Sequence, residues 1–255
     1  LLISPDNSEA YVNRGVAKRF VNQLDGALND LNKAVEYDFF NVEAIVRRGM
    51  IYIEREEYGN AMIDFNEALK MEKDNPLVYF NRAVAYLNLG DTIAALHDYE
   101  TVNILDQRNA LTYYNRAIIY SLLKEYDIAL ALYNKVVEIN PDNIYGYFNR
   151  GILFYMTKDY ESAEDDFTTV LTLFPDFIDA WINRSVARFE KGDIDGAEKD
   201  RYKAMEIMNI VNENESNRDS LYQAYSKSIN YNKIINFESD FINGERSGKL
   251  AQFSN

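Results

Sequence analysis

The chain repeats itself with a period of 34 residues. The triplets that begin at residues 13, 47, 81, 115, 149 and 183 read Asn or Arg, then Arg, then a small residue, so an arginine returns six times at one phase. A fixed period of this length indicates a solenoid, in which each repeat shelters the apolar face of its neighbour. With the small residue taken as position 8, the repeats span 8–41, 42–75, 76–109, 110–143, 144–177 and 178–211.

The recurrent residues follow the spacing of two α-helices. Positions 4, 8 and 11 lie on one stripe of a first helix, and positions 20, 24 and 27 lie on one stripe of a second. Position 20 is always Ala and position 8 is always Gly, Ala or Ser, so two helix backbones can approach each other there. Only 11 glycines and 4 prolines occur in the chain, which favours helices over turns. The sequence predicts an all-α fold of stacked helical hairpins.

This pattern resembles the tetratricopeptide repeat (TPR), in a bacterial-like version marked by Asn-Arg-Gly. The large residue at position 4, the small one at position 8 and the Ala at position 20 match the family motif over residues 8–211 without a gap, and Pro141 and Pro175 stand at position 32. Arg at position 7 departs from the family's Leu. The resemblance implies a right-handed superhelical solenoid whose first helices line a concave face for a protein or peptide partner.

Both ends of the chain depart from the array. Residues 1–7 resemble the end of a repeat, so they are interpreted as the remnant of a truncated preceding repeat, and we expect the natural N-terminus to be missing. Residues 212–255 leave the period. Leu221, Tyr225 and Ile229 follow helical spacing, which predicts a capping helix over the apolar face of the last hairpin, followed by a polar tail.

Composition limits the partners that the chain can bind. The net charge of −14 disfavours nucleic acid and anionic lipid and suits basic protein surfaces. There is no Cys, and no apolar run long enough to cross a membrane, so we expect a soluble protein without membrane insertion, of unknown compartment. The single His97 has no second His or Cys beside it to form a metal site. We therefore expect no cofactor, no metal and no catalytic residues.

The recurrent arginine at position 7 has a recurrent acidic counterpart at position 23. A charge at a helix seam needs a partner, which predicts a structural ladder of bidentate ion pairs. Each Arg can pair with the Asp of its own repeat, which we favour, or with the Asp of the preceding repeat. The acidic series has one interruption, Leu132 in the fourth repeat. An anion-binding role for the arginines is the alternative. The ladder residues are Arg14, Arg48, Arg82, Arg150, Arg184, Asp30, Asp64, Asp98, Asp166 and Asp200.

The resemblance assigns partner binding to positions 5, 6 and 12 of the first helices. Amides at position 6 can bond the backbone of an extended ligand, and apolar or aromatic side chains at positions 5 and 12 can hold its side chains. Packing of these rings against neighbouring first helices is the alternative. The predicted binding residues are Asn81, Asn115, Asn149, Asn183, Phe80, Tyr114, Phe148 and Tyr155.

The predicted function is that of a non-catalytic scaffold or adaptor. The family's carboxylate clamp is excluded, because it needs Lys at positions 2 and 5 and position 5 is never basic here. Three alternatives stay open. The chain could be a self-associating structural protein, a saccharide-binding module that uses its tyrosines, or a regulatory part of a larger protein.

Overall fold

A computed structural model describes residues 6–213 and the side chains as far as residue 209. Within residues 6–213 the chain is entirely α-helical, with twelve helices and no strand. This confirms the predicted all-α class. The helices are α1 Ser8–Phe20, α2 Leu24–Tyr37, α3 Val42–Glu54, α4 Tyr58–Met71, α5 Pro76–Asn88, α6 Thr92–Leu105, α7 Ala110–Leu122, α8 Tyr126–Ile139, α9 Ile144–Met156, α10 Tyr160–Leu173, α11 Ile178–Lys191 and α12 Ile194–Glu213.

The helices pair into consecutive hairpins, each made of an odd-numbered first helix and the even-numbered second helix that follows it. The chain divides into two compact units, Leu1–Gln107 and Arg108–Asn255. In the first unit, α2 packs on α3 and α4 packs on α5; in the second, α8 packs on α9 and α10 packs on α11. The predicted remnant repeat, except residues 6 and 7, and the predicted cap and tail, except residues 212 and 213, lie outside the described residues.

A recurrent asparagine begins the first helices. The Asn at position 34 precedes each of the first five of them and accepts a hydrogen bond from a backbone N–H of the first turn, which satisfies a donor that the helix leaves open. Phe177 stands at this point before α11 and makes no side-chain cap. Its ring is buried against Phe148 and Phe174 instead. The N-cap residues are Asn7, Asn41, Asn75, Asn109 and Asn143.

The turn inside each hairpin uses one left-handed residue. The residue at position 15 has positive φ in all six hairpins, which reverses the chain between the two helices. Two of these residues are glycines, Gly90 and Gly192, with φ of 84° and 89°; the other four are Asn22, Glu56, Lys124 and Lys158. The tight turn therefore does not depend on glycine alone.

The core of each of the first five hairpins lies where positions 8 and 20 of the repeat meet a large apolar or aromatic side chain at position 24. Position 20 is buried in every repeat, and at position 24 Phe65, Tyr99 and Phe167 are fully buried. A Cβ atom added at Gly49 would lie 2.6 Å from Cε1 of Phe65. Small residues at position 8 thus leave room for the ring that fills the hairpin.

The two glycines Gly90 and Gly59 give opposite predictions for an alanine substitution. Both sites have open space around an added Cβ, so only the backbone decides the outcome. Gly90→Ala places a side chain at φ 84° and should lower the free energy of unfolding by about 1 kcal/mol. Gly59→Ala lies in α4 and should raise it by roughly 0.5–1 kcal/mol. Urea unfolding followed by circular dichroism measures both changes, and shifts of the same sign would contradict the prediction.

Candidate functional site

The arginines at position 7 form bidentate ion pairs within their own repeats. Arg82 Nε and Nη2 donate to the two carboxylate oxygens of Asp98 at 2.7 and 2.8 Å. The Asp side chains are buried, and the geometry is the parallel fork that guanidinium and carboxylate groups favour. The same two bonds join Arg14 to Asp30, Arg48 to Asp64, Arg150 to Asp166 and Arg184 to Asp200, at 2.6–2.8 Å.

A third bond ties the arginine to the preceding repeat. Nη1 of Arg82 donates to Asn66 Oδ1 at 2.8 Å, and Nη1 of Arg150 donates to Asn134 Oδ1 at 2.7 Å. Asn32 and Thr168 accept the equivalent bonds from Arg48 and Arg184. Each of these arginines therefore links two hairpins. The sequence analysis missed these acceptors, although the recurrence of Asn at position 25 was a readable signal.

Aromatic rings flank the guanidinium groups. Arg82 lies 5.4 Å from the ring centre of Tyr79 and 5.7 Å from that of Tyr86, which stand three residues before and four residues after it. Arg150 lies in the same way between Tyr147 and Phe154. Cation–π contacts of this kind stabilise a charge that is partly removed from water. They explain the large residues at positions 4 and 11.

The ion pairs keep these arginines charged. The hydrogen bond with Asp98 raises the pKa of Arg82, and the hydrogen bond with Asp64 raises the pKa of Arg48.

The fourth repeat differs, because position 23 there is Leu132, which is buried in an apolar cluster with Tyr114 and Val136. The array thus accommodates an apolar residue at a position that is otherwise acidic.

Most of the asparagines at position 6 are buried, although the sequence analysis placed them on a partner-binding surface. Asn81, Asn115 and Asn149 are buried, so their amides cannot meet the backbone of a ligand. Asn81 Nδ2 donates to its own helix at Leu77 O, and Asn149 Nδ2 donates to Tyr114 Oη, both at 2.8 Å. Only Asn183 is half-exposed, and its amide also bonds its own helix, at Asp179 O. The burial of Asn81, Asn115 and Asn149 gives no support to the prediction that these three amides contact a partner.

The aromatic residues at position 5 are core residues as well. Phe80, Tyr114 and Phe148 are all buried, with at most 3% of their surface exposed. Phe80 packs edge-on against Tyr99, and Tyr114 packs edge-on against Tyr133. This packing gives no support to the prediction that the three rings bind a partner, and it agrees with the alternative that they belong to the core.

Tyr155 lies at the margin of the predicted site. It is half-buried, and its ring packs against Tyr160 of the following helix, with ring centres 5.5 Å apart.

The fully buried Tyr133 has its pKa raised by desolvation, although hydrogen bonds with Ser121 and Asn149 oppose that shift. The phenol stays neutral and serves the core.

One surface stripe remains after these corrections. Positions 2, 6, 9 and 13 follow helical spacing along each first helix. In the second unit this stripe carries five accessible apolar side chains, which we call the α7–α9 face: Leu111 and Leu122 of α7, and Tyr145, Ile152 and Met156 of α9. Leu122 and Met156 are exposed, whereas the other three are half-buried. On α11 the stripe turns polar, with Asp179, Asn183 and Glu190.

The same stripe in the first unit has a different chemistry. Six of its accessible side chains are charged or amide groups, namely Glu9, Asn13, Glu43, Arg47, Glu54 and Asn88, and three are apolar: the exposed Phe20 and the half-buried Val16 and Leu77. Arg47 pairs with Glu43 one turn before it. A contiguous exposed apolar stripe typically marks an interaction site, whereas scattered charges are ordinary surface. The α7–α9 face is therefore the candidate functional site.

No group of three or more His, Asp or Glu in residues 6–213 could hold a metal ion. His97 is exposed on α6, with Asp98 as its nearest acid at 3.9 Å. No described helix is long and apolar enough to span a bilayer.

Comparison with protein families identifies the repeats. Four family models match the chain: models described as tetratricopeptide repeats match residues 77–108, 110–143 and 132–165, and one described as a TPR repeat matches residues 49–90. The chain is a tetratricopeptide repeat protein. No curated protein sequence matches it.

Solved TPR structures share the fold. The C-terminal part of a TPR repeat-containing protein from Cytophaga hutchinsonii is 18% identical with a TM-score of 0.71, over 86% of this chain and 88% of that chain. A TPR protein from Parabacteroides merdae is 23% identical with a TM-score of 0.64, over 89% and 94%. YrrB, described as a TPR protein with an unusual peptide-binding site, is 22% identical with a TM-score of 0.56, over 69% and 90%.

The Arg82–Asp98 pair of this TPR protein can be tested by a double-mutant cycle. Arg82→Leu leaves the buried carboxylate of Asp98 without its two bonds and should lower the free energy of unfolding by roughly 3–5 kcal/mol. Arg82→Leu combined with Asp98→Leu removes both charges and should recover most of that loss, because no buried charge is then left without its partner. Urea unfolding of the two variants measures the difference. Equal stability of the single and double variants would show that the pair has no such role.

Proposed function

We propose that this TPR protein is a non-catalytic scaffold that binds a protein or peptide partner on the α7–α9 face. TPR proteins bind protein or peptide partners, and the repeats here support a role as an interaction scaffold in general. The observation that carries the proposal is the pair of exposed apolar side chains, Leu122 and Met156, at the same position of the consecutive first helices α7 and α9.

The partner is expected to present apolar side chains with basic neighbours. Leu122 and Met156 are 65% and 50% exposed, and large apolar side chains that stay in water gain free energy when a partner covers them. Asp179 and Glu190 border the stripe on α11, and the chain carries a net charge of −14. A segment with Lys or Arg beside its apolar residues therefore matches this surface best.

The alternatives receive less support. A saccharide-binding module needs open aromatic faces, and the rings of Phe80, Tyr114 and Phe148 are buried. The peptide-binding site named for YrrB supports peptide recognition on this fold by analogy alone. Self-association and membership of a larger protein stay open as predictions.

Binding to peptide arrays tests the proposal. Three series of 15-residue peptides are compared, in which Leu, Ile and Phe alternate with Lys and Arg, with Asp and Glu, or with Ser and Gln. We expect the basic series to bind best, and we expect Leu122→Ser combined with Met156→Ser to weaken that binding at least tenfold, about 1.4 kcal/mol or more. Both side chains lie largely in solvent, so the thermal midpoint should change little.

A matched control separates loss of the site from loss of surface apolarity. Ile63 and Ile93 are 68% and 83% exposed on α4 and α6, outside every first helix. Ile63→Ser combined with Ile93→Ser should leave peptide binding unchanged. Preferential binding of the acidic series, or equal losses in the two double variants, would overturn the proposal.

A further inference from the structure

We propose that α6 binds α6 of a second copy of this chain, in antiparallel orientation about a two-fold axis. The contact surface is the side of α6 that faces the solvent, which we call the α6 stripe and which consists of Ile93, His97, Glu100 and Ile104. All four side chains are exposed, and the two isoleucines are 83% and 71% exposed. This face of the helix is thus accessible to another molecule.

The isoleucines of the α6 stripe are specific to the third repeat. The stripe occupies positions 18, 22, 25 and 29, which are exposed in all six second helices. In the other five repeats, positions 18 and 29 hold only Asp, Glu, Lys, Thr or Gly, so the stacking of hairpins does not require isoleucine there. The opposite side of α6 is also apolar, and its Ala95, Tyr99 and Val102 are buried. A helix that is apolar on both sides is typically covered on both.

The spacing of the α6 stripe is that of a helix that pairs with another helix. Its members follow one another at intervals of four, three and four residues, which is the alternation of a and d positions in a coiled coil. From residue 93 to residue 104 the stripe extends about 16 Å along the helix axis. The stripe therefore has the pattern and the length of a short helix–helix contact.

The order of residues in the stripe is complementary to itself when one copy is reversed. A two-fold axis that passes between residues 98 and 99 brings Ile93 opposite Ile104 of the second copy and His97 opposite Glu100 of the second copy. Each pair occurs twice, so the two outer layers are apolar and the two inner layers join an imidazole to a carboxylate, which accepts a hydrogen bond from it. A parallel pairing would instead place two Glu100 carboxylates together, and like charges disfavour that arrangement.

This self-complementarity favours a second copy over a different protein. An unrelated partner requires no relation between the two halves of the stripe, whereas a two-fold dimer requires each residue to suit the one to which the axis relates it. The chain has a net charge of −14, which opposes association, but the pairing of His97 with Glu100 avoids a further repulsion inside the contact. Because the contact is short, we expect a weak dimer that dissociates on dilution.

Sedimentation equilibrium of the full chain tests this inference. Between about 1 µM and about 300 µM protein, we expect the average mass to rise from that of a monomer towards that of a dimer. Ile93→Ser combined with Ile104→Ser should weaken the dimer roughly tenfold or more, because the outer layers lose their apolar contacts. Both side chains lie in solvent in the single chain, so circular dichroism should report an unchanged fold.

A matched control separates this contact from the proposed peptide site. Leu122→Ser combined with Met156→Ser removes two exposed apolar side chains from the α7–α9 face and should leave the dimer unchanged. In the reverse direction, Ile93→Ser combined with Ile104→Ser should leave the binding of basic peptides unchanged. A dimer that is lost in the Leu122 and Met156 variant would overturn the inference.

Cysteine cross-linking tests the antiparallel register. The chain contains no cysteine, so Ile93→Cys and Ile104→Cys each introduce a single thiol. In the antiparallel dimer these two thiols lie opposite each other, and a mixture of the two variants should form a disulfide-linked dimer on oxidation. Identical thiols lie about 16 Å apart along the helix axis, so either variant alone should form roughly tenfold less.

Three further outcomes would overturn the inference. One is a monomer at every concentration. Another is a dimer that persists undiminished when Ile93 and Ile104 are both replaced by Ser. The third is cross-linking of either cysteine variant alone to the same extent as the mixture, which would show that the helices do not meet in the antiparallel register.

Discussion

The Arg–Asp ion pair is the interaction on which the stacking of hairpins depends. A guanidinium group near a helix seam is stable only when its donors are satisfied, and here two donors meet a buried carboxylate of the same hairpin while a third reaches the preceding one. Slippage between hairpins would break the third bond, which joins Arg82 to Asn66 of the preceding hairpin. The arginine of the pair therefore helps to fix the register of the two hairpins that this bond joins.

Fixed register has a consequence for function. Because each first helix presents the same positions on the same side, the chemistry of the exposed stripe can vary freely from repeat to repeat without disturbing the core. The first unit presents charges such as Glu43 and Arg47, and the second presents Leu122 and Met156. The two units thus offer different surfaces on one scaffold, which is how a repeat protein can acquire a local binding site.

The end of the array obeys the same rule as its interior. Ile182 and Val186 are the residue types that stacking buries elsewhere, so their exposure in α11 is a property of position and not of composition.

The sequence by itself determined the helical hairpins and their phase, because periodic spacing recurs in every repeat. Charge complementarity predicted that Arg82 meets an Asp but left two arrangements open, and the structure shows that the partner is Asp98 of the same repeat. It did not determine which side of a first helix stays in water. Phe80 and Asn81 have the composition of a binding surface, yet both are buried. Only the tertiary structure decided this, since burial depends on the neighbouring helix that covers a position, and helical spacing alone does not say where that helix lies.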